Sequence, residues 1–138
     1  MKQFICAASG LLGSGIALLF GGWNSSLTTL LIFMGIDYIT GIIVAGVFHK
    51  STKSENGALE SKAGLKGLLR KAVILLVVIV AYRLDVAIGT TYIRDAVCIA
   101  FIVNETLSII ENVGLMGVPM PKPIINAIEV LKKKNEEE

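Results

Sequence analysis

The sequence predicts an all-α integral membrane protein, with four membrane-crossing helices and a short amphipathic C-terminal helix. Composition is the first ground. Of the 138 residues, 54% are hydrophobic and only 17% charged, and the mean hydropathy is +0.72. An average globular chain carries about 25% charged residues, and so small a domain has little interior in which to hide this much apolar surface. Patterning is the second ground. Four apolar stretches, each long enough to cross about 30 Å of hydrocarbon as a helix, alternate with polar turns. The third ground is that most basic residues fall on one side of those stretches. The length fits a single membrane domain, residues 1–138.

A net charge of +2 gives no reason to expect a nucleic-acid partner. Cys6 and Cys98, the only cysteines, lie inside apolar runs and read as small core residues rather than a disulfide. His49 has no cysteine or second histidine near it, so no metal site is expected and it reads as a histidine at the membrane edge.

The first span is placed at residues 4–20. Lys2 gives it a thin basic lead, but no cleavage site opens onto a polar mature domain, so it reads as a membrane helix rather than a signal peptide. Ser9, Gly13 and Ala17 recur every four residues, as do Gly10 and Ser14. Such faces let helix backbones approach closely and mark these five as packing candidates. Trp23 sits in the following turn, where an interfacial aromatic belongs. The second span, 27–48, carries Asp37 near its middle, with Gly41 and Ala45 in line along the same face.

Residues 49–71 form the one substantial polar segment, with six basic residues against Glu55 and Glu60. Ser51–Gly57 reads as a loop, and Ser61–Lys71 as a helical lead-in to the third span. Lys62, Lys66, Arg70 and Lys71 read as a solvated basic face that sets orientation beside anionic headgroups. The Gly64-x-x-Gly67 spacing lacks the ending of a phosphate-binding loop.

The third span, 72–88, is wholly apolar until Arg83 and Asp85, and Tyr92 marks the next turn. The fourth span, 96–112, organises the rest. It carries Asn104, Glu105, Ser108, Glu111 and Asn112. At about 100° per residue these five fall within an arc of roughly 120°. Lipid cannot solvate such a stripe, so it must turn toward protein or water. After Gly114, three prolines break the chain. Ile124, Ile125, Ile128 and Leu131 then line a short interfacial helix within 119–138, and the closing Lys132–Glu138 run reads as solvated and disordered.

With four spans, both termini and the 49–71 loop share one side. Lys2, the six basic residues of the loop, Lys122 and Lys132–Lys134 place eleven of the 13 basic residues there. The positive-inside rule makes that side cytoplasmic. Asp37 and Glu105 then lie about 15 Å below the outer ends of their spans, and Arg83 about 18 Å above the inner end of its own. All three are near the midplane, where Arg83 is expected to neutralise one carboxylate.

The bland reading of Asp37 and Arg83 is a pair that locks a compact bundle. Five polar residues on the fourth span exceed what one bundle contact needs, so a helix–helix interface or a water-lined path is favoured there. No catalytic set is present: there is no Ser/His/Asp or Cys/His grouping and no soluble domain to hold a substrate.

Four pieces carry a family resemblance. They are Asp37-x-x-Thr40-Gly41, Ser61-x-x-Gly64-x-x-Gly67-x-x-Arg70-Lys71, Asn104-Glu105-x-Leu107-Ser108-Ile109-Ile110-Glu111-Asn112, and Gly117-x-Pro119-x-Pro121. In order and spacing the chain resembles bacteriophage holins of the toxin-secretion/phage-lysis family, the group that includes clostridial toxin-release holins. The resemblance implies a protein that oligomerises in the bacterial inner membrane and opens non-selective lesions, through which a cell-wall hydrolase or a large toxin leaves. It implies no cofactor and no enzymatic turnover. A small ion channel or transporter subunit, and a structural membrane scaffold, are the rival readings.

Overall fold

The computed structural model describes residues 1–137. Within them lie five α-helices and no strand: α1 Lys2–Leu19, α2 Ser25–Gly46, α3 Ser61–Ile88, α4 Ile93–Leu115 and α5 Lys122–Glu136. The all-helical expectation holds. Helices α1, α2 and α4 are long and apolar enough to cross a membrane. The sequence reading has four such spans; α3 is not among the three found, because its apolar part is bounded by Lys71 and interrupted by Arg83 and Asp85.

Each boundary has a local cause. Asn24 caps α2, its side-chain oxygen accepting from Leu27 N at 2.9 Å. At the end of α3, Gly89 takes the left-handed conformation (φ 73°) that a side chain would resist. No local side chain caps α4. Asp85 does so instead from the last turn of α3, accepting from Ile93 N at 3.0 Å and Arg94 N at 2.9 Å. One carboxylate thus fixes the α3–α4 turn and complements the positive end of α4. Pro121 and Pro123 flank the start of α5, where a missing N–H is harmless.

Helix α4 runs between α2 and α3 and packs against both, while α2 and α3 touch only lightly. A dry core fills the half of this bundle toward the α3–α4 turn: Phe20, Leu27, Leu30, Met34, Val78 and Cys98. In lipid such a core holds by close packing, since the surrounding chains are equally apolar. Outside the bundle, α1 buries no residue. Its far end is nonetheless fixed, because Arg94 Nη1 donates to Phe20 O at 2.8 Å and Gly22 O at 3.1 Å. Beside it, Gly21 (φ 80°) lies so close to the Tyr82 ring that a Cβ would stand 2.3 Å from it.

Three further expectations are corrected. Cys98 is buried, but Cys6 is exposed on α1, because no other helix covers that face. The Lys132–Glu138 run is not disordered through its described part: α5 continues to Glu136, and Glu138 lies outside the described residues. Lysine and glutamate are good helix formers, and Lys133 and Lys134 in the last turn suit the negative end of the helix. Lys71, read as a solvated basic residue, lies inside the bundle.

Candidate functional site

Midway along the bundle, three helices contribute to one polar cluster. Asp37 comes from α2, Lys71 from α3, and Glu105, Ser108 and Asn112 from α4. Lys71 Nζ stands 2.7 Å from Asp37 Oδ2 and 2.8 Å from Glu105 Oε2. The other Asp37 oxygen accepts from Ser108 Oγ at 2.6 Å and from Asn112 Nδ2 at 3.0 Å. Asn112 Nδ2 also donates to Thr40 Oγ1 at 2.9 Å, and the Thr40 hydroxyl donates back to Ile36 O at 2.8 Å. Asp37 and Glu105 are 5% and 3% exposed. Two carboxylates and one ammonium leave the cluster one formal negative charge.

The spacing explains the arrangement. Glu105, Ser108 and Asn112 stand at i, i+3 and i+7, one face of α4. Asp37 and Thr40, three apart on α2, meet that face. Gly41 continues the line; a Cβ there would sit 3.8 Å from Asn112 Nδ2. Both carboxylate residues lie twelve positions inward from the first residue of their helices, about 18 Å at 1.5 Å per residue. Lys71 is 17 positions from the end of α3, about 25 Å. All three therefore sit at membrane depth, where hydrogen-bonded pairing offsets a desolvation cost of several kcal/mol per ion.

Asp37, Thr40, Gly41, Glu105, Ser108 and Asn112 are thus brought together. Asn104 and Glu111, from the same stripe, are exposed on its flanks. Arg83 is a correction: it is exposed and makes no ion pair among the described residues, because α3 turns it away from α2 and α4. Lys71 is the counter-ion instead, twelve residues earlier on α3. Ser9, Gly10, Gly13, Ser14 and Ala17 meet no other helix closely enough to be buried; Ser14 Oγ donates to Gly10 O within α1. Lys62, Lys66 and Arg70 are exposed on α3.

A cleft of about 460 Å³ opens beside the cluster, in the gap between α2 and α3. Gly41, Gly64 and Gly67 leave room along its walls, Asn104 and Glu111 stand on its α4 side, and residues of the 51–60 loop line its end away from the α3–α4 turn. No group of acidic, histidine or cysteine side chains suited to a metal ion occurs among the described residues.

Apolar crossing helices around a buried ion-pair cluster define a small helical membrane protein. The comparisons then give the family: the chain belongs to the bacteriophage holin family, matching it over residues 14–133. It is 33% identical over 112 residues to a probable holin of Bacillus phage phi105, covering 80% of this chain and 77% of that protein. It is 38% identical to an uncharacterised 14.9 kDa protein of the nagH 3' region of Clostridium perfringens, with 89% of each chain covered. An uncharacterised Halalkalibacterium halodurans protein, BH0965, is 34% identical over 96% of both chains. No solved structure matches the chain.

Proposed function

We propose that this protein acts as a holin: it accumulates in the bacterial inner membrane, self-associates, and opens non-selective lesions that release a cell-wall hydrolase or a large toxin. Membership of the bacteriophage holin family is the observation that carries the reading. In this reading α3 crosses the bilayer with α2 and α4, because Lys71 is neutralised within the bundle and Arg83, five residues from the end of α3, is close enough to reach the interface. Both termini are cytoplasmic, since the basic residues gather at that end. The small-residue face of α1, unburied within the chain, is the contact offered to a second copy. Nothing in this action calls for a cofactor or catalysis. Co-expression with a wall hydrolase that lacks its own export signal tests it. Lysis should follow after a delay. Growth arrest at confirmed membrane levels, with the hydrolase retained inside, would favour the ion-channel reading.

A further inference from the structure

We infer that the cleft between α2 and α3 is a water-filled vestibule, open at the cytoplasmic end of the single protomer and sealed on the other side by the apolar core. The inference rests on the orientation proposed above and adds a one-sided path for water and small hydrophilic solutes. Three observations carry it. First, the cleft holds about 460 Å³, room for about 15 water molecules at about 30 Å³ each. Second, its lining is charged at membrane depth: Asp37, Lys71 and Glu105 form the floor, and exposed Arg70 and Glu111 the flanks. A lipid chain cannot solvate such groups, whereas water can. Ser54 Oγ, buried in the loop that lines the mouth of the cleft, finds no hydrogen-bond partner among the described residues. Third, the path stops at the cluster. Met34 lies one turn outward from Asp37, while Val78 and Cys98 lie two turns outward from Lys71 and Glu105; all three belong to the buried core. The cluster is thus the boundary between a wet inner half and a dry outer half.

Thiol labelling with a charged, membrane-impermeant maleimide reads this directly in the full-length protein. The background carries Cys6→Ala and keeps Cys98 as a probe of the plug. Gly67→Cys and Asn104→Cys probe the cleft; a Cβ at Gly67 meets nothing within 4 Å, and Asn104 is exposed, so both side chains are accommodated. Thr52→Cys reports the loop, and Val73→Cys an exposed apolar position on α3. In inverted membrane vesicles, Gly67→Cys and Asn104→Cys should label on the time scale of Thr52→Cys. Val73→Cys and Cys98 should stay unlabelled. In intact right-side-out spheroplasts, labelled before the delay ends and while potassium is still retained, none should label. Labelling at Thr52→Cys alone overturns the vestibule while leaving the orientation intact. Labelling of Thr52→Cys only from the outside overturns the orientation, and the cytoplasmic vestibule with it. Labelling of Val73→Cys equal to that of Gly67→Cys shows that α3 lies in bulk water and contradicts a vestibule. Reaction of Cys98 from the inner side contradicts the plug.

Discussion

Lys71 holds two carboxylates on one ammonium, 2.7 and 2.8 Å away. Removing one partner of a buried ion pair costs about 3–5 kcal/mol, mostly because the surviving charge remains buried. Lys71→Met leaves two such charges. It should therefore lower the thermal unfolding midpoint in detergent sharply, as followed by circular dichroism. The triple variant Lys71→Met/Asp37→Asn/Glu105→Gln removes the charges together and should recover most of the loss. A single variant no worse than the triple would show that charge does not hold the cluster. Glu105, Ser108 and Asn112 were legible as one stripe because they repeat at helical spacing. Their partner was not: Lys71 closes a basic segment, and hydropathy alone marks that segment as solvated. Its burial depends on α2 and α4 delivering two carboxylates to the same level, which lies outside any local window.

At the level of elements, α1 stands apart from the bundle, held at its C-terminal end by Arg94. No part of another helix is within 4 Å of where a Cβ on Gly13 would lie. Gly13→Leu should therefore leave the unfolding midpoint of the protomer unchanged, since surface substitutions usually fall within about 0.5 kcal/mol. If the small-residue face is the assembly contact, the same change should reduce chemical crosslinking between copies in the membrane. Undiminished crosslinking would remove α1 from the assembly face. By contrast, Gly21→Ala should destabilise the chain, because it adds a Cβ against the Tyr82 ring in a left-handed backbone conformation. Trimming that ring with Tyr82→Ala should restore part of the loss, as read in the same melt. The helices themselves were legible from their apolar runs and caps. The length of α3 was harder to read: its 28 residues reach about 42 Å, so Lys71 falls well inside a helix whose apolar part begins one residue later. Likewise the C-terminal charges obscured a helix that continues to Glu136.

For the whole molecule, orientation and permeability are the two properties that decide function. Reporter fusions within residues 52–57 and at the C-terminus should both read cytoplasmic, because ten of the 13 basic residues gather on that side once Lys71 is counted with the bundle. A periplasmic reading at one position alone would contradict a crossing by α3, and at both would invert the orientation. Permeability separates a holin from an ion channel. Cells expressing the protein are converted to spheroplasts, and the efflux of potassium and of a folded cytoplasmic marker enzyme of tens of kilodaltons is followed in the same sample. A holin predicts that, after the delay, the folded enzyme leaves together with potassium. Complete loss of potassium with the enzyme retained would contradict holin action, and would make the protein an ion-conducting one.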